Sequence, residues 1–385
     1  MGFPPAAAPR RPRVTEIRIP EHLLPADGRF GAGPAKVPTA ALSALADSGT
    51  SLMGTSHRQA PVRNLVGQVR EQLRALFSVP DDYEIVMGNG GSTAFWDIAS
   101  FCLVRERSQH LTFGEFSAKF AKAVAAAPHL GEPTVVAAEP GGLSTPYAES
   151  GVDAYAWPHN ETSTAVMAPV SRVPDSGDAL VLVDATSGAG GLPVDVREAD
   201  AYYFAPQKCF ASDGGLWIAL LSPAALDRAA EIAGSGRWVP AFLDLGPAIE
   251  NARKNQTYNT PSIATLFLMS RQLDWMLDEG GLTAMVDRTS RSADTLYGWA
   301  EQTDYTSPFV PEPEHRSRVI ATIDFDEAVS ADEVAATLRA NGVVDTEPYR
   351  KLGRNQLRIA TYPAVDPDDV AALTACIDHV VQAMA

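Results

Sequence analysis

Cysteine is scarce in this chain: Cys102, Cys209 and Cys376 are the only three in 385 residues, and they are widely scattered. That excludes a disulfide framework and a cysteine-rich zinc site, and it fits a reducing cytoplasm. Long apolar runs are also missing. None approaches the roughly 18–20 residues that span a bilayer, so no membrane anchor is expected. The first stretch, "MGFPPAAAPRRPRVTEIRIP", carries proline and arginine without a hydrophobic h-region, so a flexible tail over residues 1 to about 13 is expected, not a secretory signal. Ala6 stands where a myristoylation motif beginning at Gly2 needs Ser or Thr. Without a signal, the sequons at Asn160–Thr162 and Asn255–Thr257 read as chance matches. Basic residues are in deficit, 31 Lys and Arg against 47 Asp and Glu, for a net charge of −16. A surface that acidic repels nucleic acid and anionic lipid. An anionic substrate would need cations gathered locally against this background.

What is present alternates. "VRNLVGQVREQLRALFSV" (62–79) spaces its apolar residues by three and four, as an amphipathic helix does. "YEIVMG" reads as a strand, "GNGGS" as a turn and "TAFWDIASFCLV" as a helix. Further strands are expected at "QHLTF", "TVVAAE", "TAVMAP", "ALVLVDAT", "DAYYFAP" and "LWIALLS". Several are apolar throughout, as when both sheet faces are covered. The alternation predicts an α/β domain with a mainly parallel sheet. Long helices follow at 262–281, stopped by Gly280 and Gly281, and at 282–303, then a loop at 308–317. The last stretch reads strand, helix, strand, helix, a smaller α+β unit whose final helix starts near Asp366 or Asp368. The expected division is an N-terminal arm (1–30), a large domain (31–285) and a small domain (286–385).

Three features carry chemistry. "MGNGGSTAFW" (87–96) is a glycine-rich βα turn. Helix-start amides there, with the Ser92 and Thr93 hydroxyls, form an anion site. It lacks G-x-G-x-x-G spacing and a Walker lysine, which speaks against a nucleotide. Asp184 ends the apolar run "ALVLVD", where α/β enzymes place functional groups. Lys208, in "YYFAPQKCFASDGG", follows the next expected strand. Singly, each has an ordinary explanation: a tight turn, a cap residue, a snorkelling amine. Together they describe pyridoxal phosphate, which needs a phosphate cradle, a carboxylate at its ring nitrogen and a Schiff-base lysine. Phe116 in "FGEFSAKF" is the candidate lid on its ring.

The order of these features resembles the aspartate aminotransferase fold type. More narrowly, "TSHRQ", "GNGGSTAFW", "HNET", "VDATS", "APQK" and "YNTPS" appear in the order of the phosphoserine aminotransferase family, as seen in divergent actinobacterial members. The resemblance covers residues 30 to 385. It implies Lys208 as the Schiff-base lysine and Asp184 at the pyridine nitrogen. It places Gly91, Ser92, Ser187 and Gln207 at the cofactor phosphate, Phe116 on the ring and Thr162 on the ring-hydroxyl side. Asn259 and Thr260 of "NTP" would reach the neighbouring subunit's cofactor phosphate, which implies a homodimer with shared sites. His57 and Arg58 would bind the substrate's phosphate or side-chain carboxylate across that dimer. Arg358 would clamp the α-carboxylate, a task suited to a planar fork of donors. The implied reaction exchanges an amino group between glutamate and 3-phosphohydroxypyruvate, giving 2-oxoglutarate and O-phospho-L-serine in serine biosynthesis. It leaves 4-phosphohydroxy-L-threonine, of vitamin B6 biosynthesis, open as a further substrate.

This sequence departs from the family at two places. Ser92 replaces an arginine common in the glycine turn, and the family's His-Arg pair before Arg358 is absent. "PYRKLGRNQLR" offers Arg350, Lys351 or Arg354 instead, beside the single nearby acid Glu347. Related readings are a serine–glyoxylate or alanine–glyoxylate aminotransferase, which would keep Lys208 and Asp184 without needing His57 and Arg58. A nucleotide-binding or structural α/β protein without the cofactor is more remote. A cysteine desulfurase is discounted because no cysteine falls on a suitable mobile loop.

Overall fold

Strands buried on both faces organise the larger part of the molecule. The computed structural model describes residues 17–48 and 51–384; the expected tail at 1–13 lies outside them. Seven strands form one sheet: β1 (Glu84–Gly90), β2 (Ser108–Thr112), β3 (Thr134–Ala137), β4 (Ala154–Pro158), β7 (Leu180–Asp184), β8 (Ala201–Phe204) and β9 (Gly215–Leu221). Their spatial order is β1-β9-β8-β7-β4-β2-β3. Only β9 runs against its neighbours, pairing antiparallel with β1 and β8, and the other pairs are parallel. Successive side chains enter opposite cores, as the period of two requires. In β9, Leu216, Ile218 and Leu220 face one core, while Trp217, Ala219 and Leu221 face the other. The first core is closed by the helices α2 (Ala60–Phe77) and α7 (Ile263–Asp278). The second lies under α3 (Ser92–Cys102), α4 (Glu115–Ala125), α5 (Pro223–Gly234) and α6 (Leu245–Ala252). The expected α/β sheet, mainly parallel, is what forms.

One strand was missed and one expected strand is cut short. The central β4 was not expected, because Ala154 and Ala156 are weak strand formers; Tyr155 and Trp157 supply its packing on the other face. "TAVMAP" yields only β6 (Val166–Met167), which pairs with β5 (Asn160–Glu161) in a two-stranded ribbon. Ala165 has φ +59° there, which breaks an extended run. α1 (Thr39–Ser48), α4, α5 and α6 add to the expected helices.

The C-terminal part has an antiparallel sheet of β10 (Thr306–Pro308), β11 (Ile320–Phe325) and β12 (Gln356–Ala360). α8 (Gly281–Gln302), α9 (Ala331–Ala340) and α10 (Pro367–Met384) accompany it. The boundary drawn at 285/286 falls inside α8, whose Met285 joins the first large core while Leu296 and Tyr297 join the small one. Residues 17–30, drawn as an arm, contribute Ile19 and Phe30 to that small core.

Candidate active site

The sheet delivers Asp184 to the carboxyl end of β7, where α/β folds bind their ligands. Trp96 Nε1 donates to its Oδ2 at 2.8 Å, and the Thr186 amide and hydroxyl donate to Oδ1 at 3.0 and 2.5 Å. Burial raises the carboxyl's pKa, opposed by these donors. A buried carboxylate with one oxygen so lightly engaged suits a cationic N–H partner.

Lys208 lies in the turn after β8 and is 8% exposed. Its Nζ donates to the Ala32 carbonyl at 2.8 Å and to Thr162 Oγ1 at 3.4 Å. Burial, reinforced by the Arg358 guanidinium, pulls its pKa down to about 8. Gly33 explains how the backbone approaches so closely: a Cβ there would lie 2.6 Å from Nζ, and its φ of +145° favours glycine.

The glycine turn stands beside this pair. α3 begins at Ser92, with Gly91 as its N-cap, so its first amides are those a helix leaves unpaired. Ser92 Oγ hydrogen-bonds Thr186 Oγ1, linking the turn directly to the Asp184 network. Thr93 is exposed on the same first turn. Gln207 Oε1 is buried without a partner among the described residues. Ser187 is different: its hydroxyl accepts from Asn160 Nδ2 and Thr162 Oγ1, both at 2.8 Å, and donates to the Asn160 carbonyl at 3.0 Å. With both lone pairs and its proton used, it braces Thr162 and offers nothing to a phosphate.

Phe116, on the first turn of α4, lines the same small cavity as Asp184. Its ring is 6.1 Å from that of Tyr349, and the Arg358 guanidinium lies 5.3 Å over Tyr349. Arg358 Nη1 donates to the Thr162 carbonyl at 3.3 Å, while its Nε is buried without a partner among the described residues. One crevice therefore gathers Lys208, Asp184, Ser92, Thr162, Phe116 and Arg358. Trp96, Thr186, Gly33 and Tyr349 were missed in the sequence, although Trp96 and Thr186 sit inside motifs already singled out. The orphaned Arg358 nitrogen, the hydroxyl pair and free amides at a helix start, the buried Lys208 amine and the buried Asp184 carboxylate fit pyridoxal phosphate and an amino acid.

Two further groups lie apart. His57 Nδ1 hydrogen-bonds Thr260 Oγ1 at 3.1 Å across 203 residues of chain. Arg58 donates to Asn251 Oδ1 at 2.7 Å, to Gln256 Oε1 and to the Tyr258 carbonyl at 3.2 Å. Arg58, Tyr258, Asn259 and Thr260 are all exposed in the single chain. Asn89 Nδ2 donates to the Thr260 carbonyl at 2.8 Å, which ties the patch to the edge of the glycine turn. In the loop before β12, Lys351 pairs with Glu115, and Arg354 pairs with Asp324 while lying 4.7 Å over the Phe309 ring. Glu347, the acid expected to sit among these cations, pairs with Arg339 instead. Arg350 is exposed and has no partner among the described residues. All three cysteines are buried, and burial raises every thiol pKa, for Cys102 and Cys376 to about 11.

Residues 29–346 match the family model described as aminotransferase class-V. A phosphoserine aminotransferase of Nocardioides sp. is 70% identical over 367 residues, which is 95% of this chain and 98% of that protein. A putative phosphoserine aminotransferase of Mycolicibacterium vanbaalenii is 63% identical over 95% of this chain and 98% of its own. Among solved structures, a phosphoserine aminotransferase from Cytophaga hutchinsonii superposes with a TM-score of 0.83 at 21% identity, covering 91% of this chain and 99% of that one. That likeness places the fold among the type I pyridoxal-phosphate transferases. The chain belongs to the class-V aminotransferases and, within them, to the phosphoserine aminotransferase family.

Proposed function

We infer that this protein is a phosphoserine aminotransferase, moving an amino group between glutamate and 3-phosphohydroxypyruvate to give 2-oxoglutarate and O-phospho-L-serine. The observation that carries the reading is Lys208, an amine buried beside Asp184 with its pKa lowered to about 8. When bound, pyridoxal phosphate supplies the aldehyde that takes the amino group and the ring that withdraws electrons from Cα. Asp184 would hold the ring nitrogen, and the first amides of α3 at Gly91 and Ser92, with the Gln207 side-chain amide, would hold the phosphate. Phe116 would cover one ring face. Thr162 orients the Lys208 amine, and burial, by lowering its pKa to about 8, eases the loss of the proton it must give up to take or return one at Cα. Arg358 keeps a free Nε for the α-carboxylate while Thr162 fixes its far end.

His57 and Arg58 then bind the substrate's distal anion, and Asn259 and Thr260 the cofactor phosphate, in the site of a second copy of this chain. The exposure of Arg58, Asn259 and Thr260 on one patch, with His57 half-buried against Thr260, supports that homodimer. Of the three loop cations, Arg350 completes the anion site, since acids already occupy Lys351 and Arg354. The test is a spectrum of the cofactor-loaded protein titrated with phosphoserine, glutamate and serine separately. Phosphoserine and glutamate should convert the bound cofactor, and serine should not. Conversion by serine at comparable concentration would favour a glyoxylate-type aminotransferase.

A further inference from the structure

Glu161 is fully buried in the "HNET" turn, next to Thr162, and has no ion-pair partner among the described residues. Five donors converge on it. Oε2 accepts from the Phe116 amide at 3.1 Å, the Ser117 amide at 2.9 Å and the Ser117 hydroxyl at 2.9 Å. Oε1 accepts from the Ser163 amide at 3.2 Å and its hydroxyl at 2.7 Å. An ionised carboxylate away from water is tolerated only when satisfied in this way.

Three of those donors belong to the first turn of α4, the turn that carries Phe116. Elsewhere in the chain, α5, α6 and α9 are capped by the residue that starts them, Ser222, Asp244 and Ser330. The N-cap of α4 is Gly114, which has no side chain to offer. A Cβ at that position would lie 2.3 Å from Glu161 Cγ and 2.6 Å from Ser163 Oγ. The local cap has thus given way to a carboxylate 45 residues distant from Phe116 in sequence, at a helix end whose dipole favours an anion. A side chain at 114 has no room to cap the helix, and the Glu161 carboxylate that caps it instead ties α4 to the turn holding Thr162.

We propose that Glu161 is a positioning residue of the cofactor pocket, whose carboxylate fixes the start of α4 and so holds the Phe116 ring in register with Thr162 and Lys208. This rests on the reading of the crevice as a pyridoxal-phosphate site. The same carboxylate couples the lid on the ring to the threonine beside the amine, so the pocket keeps its width as one unit.

The experiment is a double-mutant cycle on the dissociation constant of pyridoxal phosphate, read from visible circular dichroism of the bound cofactor and run alongside thermal unfolding. Glu161→Gln places an amide donor against donors and should weaken binding about tenfold, the size of one charge-assisted hydrogen bond, and should reduce the dichroism. In a Phe116→Ala background the same change should cost less than about twofold, because the ring it positions is gone. An equal cost in both backgrounds, or a lower unfolding temperature with unchanged affinity and dichroism, would overturn the proposal. Should Glu161→Gln fail to fold, Ser117→Ala and Ser163→Ala each remove one hydroxyl donor and run through the same cycle with the same criterion. A wild-type protein that gives no visible band with the cofactor would overturn the functional reading itself, a result distinct from an additive cycle.

Discussion

A lysine held by one carbonyl and one hydroxyl inside a protein has a cost that can be measured without substrate. In the cofactor-free protein the Lys208 pKa falls from 10.5 to about 8, first through burial and then through Arg358. Between those two values the unfolded chain binds more protons than the folded one, so stability rises with pH across that window. Below about pH 8 both states are protonated and the full penalty applies. At about 1.36 kcal/mol per pKa unit it is on the order of 3 kcal/mol. Lys208→Met should therefore make the cofactor-free protein more stable than wild type at pH 7. The gain should shrink through pH 8–10 and disappear above the unfolded pKa. Urea unfolding at stepped pH measures this, and a gain independent of pH would contradict it. Lys208 and Asp184 were legible in the sequence because each closes an apolar strand within its own motif. Gly33, Tyr349 and Glu161 were not, since their roles arise only when the ends of remote segments meet. The loop cations show the same limit. Glu347 looked like the acid among them, but the acids that bind Lys351 and Arg354 are Glu115 and Asp324, distant in sequence.

Elements were readable where one physical signal dominated. The strands at 180–184, 201–204 and 215–221 are apolar on both faces, and the helices at 60–77 and 263–278 carry three-and-four spacing, so their positions could be anticipated. β4 escaped because alanine on one face weakens the strand signal while the sheet on both sides enforces it. α5 buries Ala225, Arg228, Ala229 and Ile232 at three-and-four spacing, but two alanines and an arginine make that face a weak apolar signal, and its start is fixed by a cap that doubles as a tie to the sheet. Ser222 Oγ accepts from the Ala225 amide at 3.1 Å and donates to Asp200 Oδ1 at 2.7 Å. Asp200 in turn accepts the Val181 amide at 2.8 Å, so one serine joins a helix start to β7. Ser222→Ala removes the cap and one donor to a buried carboxylate. It should lower stability by about 1–2 kcal/mol while leaving transamination at 25 °C unchanged, because it lies away from the crevice. Denaturant midpoints and initial rates on the same preparations check both halves.

At the scale of the whole molecule, a chain of net charge −16 must concentrate cations to bind a doubly anionic substrate. Arg358 stands in the crevice with Lys208, whereas His57 and Arg58 stand on an exposed patch with Thr260. If that patch completes the site of a second copy, the two groups of cations act together only in the dimer. Mixing two defective variants decides the matter. Lys208→Ala loses the amine, and Arg58→Ala loses the distal cation. When equal amounts are unfolded together and refolded, half of the dimers are mixed. In a mixed dimer with shared sites, one site carries both lesions and the other carries none. Activity should then recover to about one quarter of wild type, given two sites per dimer and half the dimers mixed. If Arg58 serves its own chain, every site in the mixed dimer keeps a lesion and no recovery follows. A mixture that stays at the activity of the separate variants would place Arg58 in its own subunit and remove the reason for requiring a shared site.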